Sequence, residues 1–116
     1  MFRPIRVLHV DDRPEYSDIL TSYLDGHDEP FDVVTETDPV VALQTLSDAE
    51  FDCLVSDYEM PKMDGLELLA AVQRRQPELP VILLTAKGNE SVASEAIAAG
   101  VTDYIPKEDL TDSPEI

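Results

Sequence analysis

The sequence has 116 residues, 43 % of them hydrophobic, which suffices for one domain with a buried core and argues against a disordered chain. Its 25 acidic and 8 basic residues give a net charge of −17, which repels phosphate backbones and anionic membrane surfaces, so we expect neither nucleic acid nor membrane as a partner. No apolar run approaches the ~20 residues of a membrane-spanning helix, and the N-terminus lacks a signal-peptide pattern. With a single cysteine, Cys53, the chain can form no internal disulfide, which favours a cytoplasmic location.

The first half of the chain alternates apolar runs with amphipathic stretches. Residues 5–10 are rich in β-forming residues and predict the first strand. Apolar residues at helical spacing follow over residues 16–24 and predict the first helix. Residues 31–35 predict a second strand, and Asp38 followed by proline is typical of a helix N-cap, so a second helix is expected over about 39–49.

The second half continues the alternation. Asp64, with Glu67 three residues later, forms a capping-box pattern that predicts the start of the third helix. Gly100 is typical of a helix end and closes an amphipathic stretch that predicts the fourth helix. The apolar runs of this half predict strands at residues 51–56, 81–84 and 101–105.

Strands that alternate with helices predict an α/β fold with a parallel sheet covered on both faces. Ligands of such sheets bind outside the carboxyl ends of the strands. Four of the predicted strands end in chemically useful side chains, which converge if these strands are neighbours: Asp11, Asp12, Asp57, Thr85 and Lys107.

Three of these side chains are carboxylates, which repel one another at close range and require a cation. An all-oxygen site favours a hard ion, Mg²⁺ or Mn²⁺. Lys107 and Thr85 would add a positive charge and a hydroxyl group. Together with the metal, they would form a place for an incoming phosphoryl group.

Four separately placed motifs resemble those of the response-regulator receiver domain of two-component phosphorelays. They are Asp11-Asp12, Asp57-x-x-Met60-Pro61-x-Met63-Asp64-Gly65, Thr85-Ala86 and Lys107. The second motif is highly specific, and the resemblance covers about residues 5–107. It implies a flavodoxin-like (CheY-like) three-layer sandwich whose five-stranded parallel sheet has the order 2-1-3-4-5. We expect one receiver domain over residues 1–116.

The resemblance also implies a division of labour at the site. Asp57 would take a phosphoryl group from a phosphohistidine on a sensor histidine kinase or phosphotransfer protein. Asp12, Asp57 and the main-chain carbonyl of Glu59 would bind Mg²⁺ directly, and Asp11 through a water molecule. Lys107 would pair with a phosphoryl oxygen.

A conformational switch would follow phosphorylation. Thr85 would hydrogen-bond a phosphoryl oxygen, and its movement would accompany a rotamer change at Tyr104, which signals to a downstream output domain or protein. The chain would be a phosphoacceptor with slow autodephosphorylation and not an enzyme in its own right.

The chain departs from the family pattern after the fifth strand. Proline precedes Lys107 instead of following it, and Glu108 stands after it. Only residues 108–116 remain for the fifth helix, so this helix is expected to be truncated or missing, or replaced by a linker to a missing output region. Ser113-Pro114-Glu115 is a helix-start pattern, which suggests that the natural chain continues.

Two oppositely charged residues follow the ends of the third and fourth predicted strands at the same sequence offset. Glu59 lies two residues after Asp57, and Lys87 lies two residues after Thr85. Neighbouring parallel strands lie ~4.8 Å apart, so Glu59 and Lys87 could form an exposed gate over the site. The alternative is that both are solvated loop residues.

Three functions remain open at this stage. The chain could be a phosphorylated receiver, a receiver-like interaction module that is never phosphorylated, or a metal-dependent phosphohydrolase of a related α/β fold. The last fits poorly, because Arg13 occupies the position where such enzymes carry an acid. His9 is expected to be a core histidine with a satisfied partner, not a phosphoacceptor.

The acidic, lysine-poor composition resembles that of proteins from salt-loving organisms, in which high ionic strength screens self-repulsion. We therefore expect the source to be a halophilic archaeon, the alternative being an acidic protein of ordinary origin.

Overall fold

Strands and helices alternate throughout the computed structural model, which describes residues 3–86 and 90–111. Within these residues the elements are β1 (Ile5–Val10), α1 (Glu15–Asp25), β2 (Phe31–Glu36), α2 (Pro39–Asp48), β3 (Cys53–Asp57), α3 (Gly65–Arg75), β4 (Val81–Thr85), α4 (Glu90–Ala99), β5 (Asp103–Pro106) and α5 (Lys107–Thr111).

The strands form one parallel sheet with the order β2-β1-β3-β4-β5. This order confirms the predicted flavodoxin-like architecture, and α5 is short, as expected. Because β1, β3, β4 and β5 are consecutive neighbours, the residues at their carboxyl ends share one edge of the sheet.

Apolar side chains cover both faces of the sheet, because successive strand residues point to opposite sides. The face that packs against α2 and α3 has a cluster that includes Leu8, Leu54, Leu68, Leu69 and Val72. The face that packs against α1 and α5 has Val7, Leu20, Val55, Leu84 and Leu110. Each large aliphatic side chain buried in this way stabilises the fold by roughly 1.5–3 kcal/mol.

The predicted helix ends are confirmed by their hydrogen bonds. The Asp64 carboxylate accepts from the Glu67 amide at 2.8 Å, and the Glu67 carboxylate accepts from the Asp64 amide at 2.9 Å, which completes the capping box of α3. Asp38 accepts from the Val40 amide at 2.9 Å at the start of α2. Gly100 ends α4 with a φ of 96°, a backbone conformation that favours glycine.

Two strands start later than predicted. β3 begins at Cys53 and not at residue 51, and Asp52 instead accepts from the Arg6 amide at 2.8 Å. β5 begins at Asp103, and just before it the side chain of Thr102 accepts from the Val81 amide at 3.1 Å. No helix in the described part of the chain is long and apolar enough to cross a membrane.

Candidate functional site

The carboxyl edge of the sheet holds the five side chains that the strand ends predicted. Asp11 and Asp12 follow β1, Asp57 and Thr85 are the last residues of β3 and β4, and Lys107 directly follows β5. Asp11 is fully buried, and Asp57 and Thr85 are 5 % and 3 % exposed. A parallel sheet therefore gathers residues that are up to 96 positions apart in the sequence.

The three aspartates form a compact cluster. One carboxylate oxygen from each of Asp11, Asp12 and Asp57 lies within 4.8 Å of the others. Oδ1 of Asp12 is buried and has no hydrogen-bond partner among residues 3–86 and 90–111. Leaving a buried carboxylate oxygen unpaired is costly, so this donor set fits a hard divalent cation such as Mg²⁺.

Lys107 is the cation that faces these acids. Its Nζ lies 3.0 Å from Oδ2 of Asp57 and 3.1 Å from Oδ2 of Asp11, and its side chain is 13 % exposed. Although Pro106 precedes the lysine, where the family pattern has proline after it, the ammonium group still reaches the end of β3. The ring centroid of Tyr16 lies 3.9 Å from the same Nζ. In the sequence, Tyr16 is only one of the residues whose helical spacing predicts the first helix, and nothing there indicates its contact with Lys107.

Burial and neighbouring charges shift two pKa values at this site. Burial raises the pKa of Asp57, and the nearby charge of Asp11 raises it further, against the opposing effect of Lys107. Burial alone would lower the pKa of Lys107, but the interactions with Asp57 and Asp11 outweigh burial, and the net shift is upward. The ammonium group of Lys107 thus lies between two buried carboxylates whose negative charge stabilises its charged form.

Thr85 and Tyr104 lie on the same side of the sheet. Tyr104 pairs with Leu83 in the register of β4 and β5, and Thr85 follows Leu83 by two residues. Leu83 packs against α4 through Val92 and Ala96, so Thr85 and Tyr104 share the face that α4 covers. Tyr104 is 36 % exposed, whereas Thr85 is buried.

The gate expected between Glu59 and Lys87 stays a prediction. In the register of β3 and β4, Asp57 is paired with Leu84, one residue before Thr85. Glu59 is exposed, and Lys87 lies outside the described residues, as does the segment that begins at Ser113.

His9 lies behind the site in a buried polar network. Its Nδ1 is 3.3 Å from Oγ1 of Thr35, which is 2.9 Å from Oγ of Ser17. Its Nε2 lies 3.8 Å from Oδ2 of Asp11 and has no hydrogen-bond partner in the part of the chain that the structure describes. Burial lowers the pKa of His9 and thereby favours the neutral ring. The histidine is buried as predicted, but among the described residues only Nδ1 has a hydrogen-bond partner.

Comparison with known proteins points to one family. The family profile "Response regulator receiver domain" matches residues 7–113. The protein-glutamate methylesterase/protein-glutamine glutaminase of Escherichia coli (strain K12) is 38 % identical over 109 residues, which cover 91 % of this chain and 31 % of that protein. This chain thus spans about a third of the length of such relatives.

Solved structures give the same result. Vibrio cholerae chemotaxis protein CheY4 superposes with a TM-score of 0.79 and 28 % identity, covering 94 % of both chains. The receiver domain of NtrX from Brucella abortus superposes with a TM-score of 0.78 and 28 % identity, covering 90 % of this chain and 91 % of that one. None of the three proteins named here supports the expected halophilic archaeal origin.

Proposed function

This chain belongs to the response regulator receiver domain family, and on that basis we propose that it accepts a phosphoryl group on Asp57 from a histidine kinase or phosphotransfer protein. The observation that carries the proposal is the contact of Lys107 with the Asp57 carboxylate at 3.0 Å, beside a cluster of three aspartates. A carboxylate is a weak nucleophile, so its reaction depends on groups that position the phosphoryl group and stabilise its charge.

The transfer joins an Oδ atom of Asp57 to phosphorus and breaks the bond between phosphorus and the donor's imidazole nitrogen. The imidazole leaves with the bonding electron pair and takes up a proton. Lys107, already beside Asp57, would pair with a phosphoryl oxygen and offset the new negative charge. Thr85, buried at the end of β4, would donate its hydroxyl hydrogen to another oxygen.

We propose Mg²⁺ or Mn²⁺ as the metal cofactor, held by Asp12, Asp57 and the main-chain carbonyl of Glu59, with Asp11 acting through a water molecule. The Oδ1 atom of Asp12, which has no hydrogen-bond partner among the described residues, and the clustering of the three carboxylates support this assignment. When bound, the metal would neutralise charge on the transferring phosphoryl group.

The signal would leave the site through Thr85 and Tyr104. A phosphoryl dianion on Asp57 would attract Thr85 and Lys107. The nearby loops would thereby shift from one packing arrangement toward another. The shared sheet face of Thr85 and Tyr104 supports this route, since a movement of Thr85 would occur on the face that also carries Tyr104. An output domain or protein would read the change.

The test is labelling with acetyl phosphate in the presence of Mg²⁺, followed by intact-mass measurement. We expect one phosphoryl group on the wild-type chain and on Asp32→Asn, a control at an exposed carboxylate on β2, and none on Asp57→Asn. Stable labelling supports the receiver. Absence of labelling in the wild type would favour the unphosphorylated interaction module, and rapid multiple turnover would favour a phosphohydrolase.

Further parts of the proposal concern the surroundings of the site. Glu59 would repel the incoming phosphoryl group, so Glu59→Ala should accelerate phosphorylation, with a smaller effect at high salt. Lys87→Ala should slow phosphorylation if the two side chains form a gate. We propose a single receiver domain over residues 1–116 that acts in the cytoplasm, slowly loses its phosphoryl group, and binds neither nucleic acid nor membrane itself.

A further inference from the structure

The ammonium group of Lys107 has three close neighbours. Two are the carboxylates of Asp57 and Asp11, at 3.0 and 3.1 Å. The third is the aromatic ring of Tyr16, whose centroid lies 3.9 Å from Nζ. This distance is well within the range in which a cation is attracted to the negative face of an aromatic ring.

The loop that carries the aspartates holds the backbone of Tyr16 in place. Oδ1 of Asp11 accepts from the Arg13 amide at 2.9 Å, and the Arg13 carbonyl accepts from the Tyr16 amide at 3.1 Å. The same aspartate that contacts Lys107 therefore also anchors the turn that presents the ring. The ring bridges α1 and the first residue of α5.

Packing of the core does not account for this placement. Ile19, Leu20, Tyr23 and Leu24 supply the apolar contacts of α1 in the cluster on this face of the sheet, and among the described residues Tyr16 is not part of that cluster. Tyr16 instead lines a cleft of about 310 Å³ together with Asp57 and Lys107.

We propose that Tyr16 is a positioning residue for Lys107, whose ring holds the ammonium group beside Asp57 so that it meets the arriving phosphoryl group. A lysine side chain has four rotatable bonds, and two carboxylates compete for this one. The ring restricts where Nζ can lie without removing any of its hydrogen bonds. This inference rests on the proposed function and adds a residue to the transfer step.

Two substitutions distinguish the contribution of the aromatic ring from that of the hydroxyl group. Tyr16→Phe keeps the aromatic face and removes only the hydroxyl group. Tyr16→Leu removes the aromatic face but keeps an apolar side chain that favours a helix. Tyr23→Leu is the matched control, because Tyr23 lies two turns further along α1 and its ring contacts that of His27 in a tilted arrangement, with centroids 5.5 Å apart. Circular dichroism first establishes that each variant is folded.

The direct readout is the proton chemical shift of the Lys107 ε-methylene group. We expect an upfield ring-current shift in the wild type, Tyr16→Phe and Tyr23→Leu, and its loss in Tyr16→Leu. The functional readout is the rate constant of phosphorylation by acetyl phosphate at saturating Mg²⁺. Tyr16→Leu should lower it by roughly 2- to 30-fold, the range of a partly desolvated cation–π contact, while Tyr16→Phe and Tyr23→Leu stay near the wild type.

The Mg²⁺ dissociation constant distinguishes positioning from a general structural defect. It should be the same in all four proteins, because the proposed metal ligands are carboxylate and carbonyl oxygens. Three results for Tyr16→Leu would overturn the inference and leave the proposed function intact. They are a wild-type phosphorylation rate, an unchanged chemical shift of Lys107, and Mg²⁺ binding that is weakened as much as the rate. A wild-type chain that acetyl phosphate does not label overturns the proposed function, and the inference with it.

Discussion

Replacing Gly65 by alanine should destabilise the fold at the point where β3 meets α3. A Cβ atom at position 65 would lie 2.5 Å from Cδ1 of Leu83, 2.7 Å from the main-chain oxygen of Asp57 and 3.0 Å from Cα of Tyr58. The Leu83 side chain can rotate, but the other two atoms belong to the backbone. The Gly65 amide also donates to the Tyr58 carbonyl at 2.7 Å, which holds the two segments together.

The size of the expected loss in the free energy of unfolding follows from two opposing effects. Overpacking of this kind costs about 1–3 kcal/mol, and contacts to backbone atoms place Gly65→Ala near the upper end of that range. The higher helix propensity of alanine offsets up to ~1 kcal/mol at this first helical position. The expected net loss in the free energy of unfolding is therefore about 2 kcal/mol, which lowers Tm by roughly 8 °C for a domain of this size.

The assay is thermal and urea unfolding followed by far-ultraviolet circular dichroism, with Gly26→Ala as the control. A Cβ atom at position 26 would meet only the Tyr23 main-chain oxygen, at 3.4 Å, and Gly26 has a φ of −76° that alanine adopts readily. Gly26→Ala should leave the stability unchanged or raise it by up to ~1 kcal/mol. Equal Tm values for the two variants would refute the argument that Gly65 is required by close backbone approach.

Three further predictions concern the metal site, the α3 cap and the cysteine. Asp12→Ala should weaken Mg²⁺ binding by roughly 10-fold or more, measured by Tyr58 fluorescence, and equal affinity would rule out Asp12 as a ligand. Asp64→Ala should lower the free energy of unfolding by about 1 kcal/mol in urea titrations, whereas Asp64→Asn, which keeps a capping oxygen, should cost much less. Burial raises the pKa of the Cys53 thiol to about 11 from 9.0, so at pH 8 an aromatic disulfide reagent should label native protein roughly 100-fold more slowly than urea-unfolded protein. Equal labelling rates would contradict the burial of this thiol.

The helices and the strand ends that carry the candidate site residues could be predicted because their signals in the sequence are local. Asp38 and Asp64 cap helices through hydrogen bonds to amides two or three residues away, so sequence spacing alone identifies them. Asp57 and Lys107 stand at the ends of apolar runs, and the carboxyl ends of parallel strands must meet once the strand order is known. The motif around Asp57 supplied that order through its family resemblance.

Tertiary structure alone decided how these elements meet across the sheet. The register of β3 and β4 places Asp57 opposite Leu84 and one residue short of Thr85, an offset that the sequence leaves open. The contact of Tyr16 with Lys107 depends on the packing of α1 against α5. Which ring nitrogen of His9 finds a hydrogen-bond partner among the described residues depends on which way the ring turns within the core. Local hydrogen bonding and hydrophobic periodicity act over a few residues and are visible in the sequence, whereas register and side-chain direction are set by close packing between segments far apart in the chain.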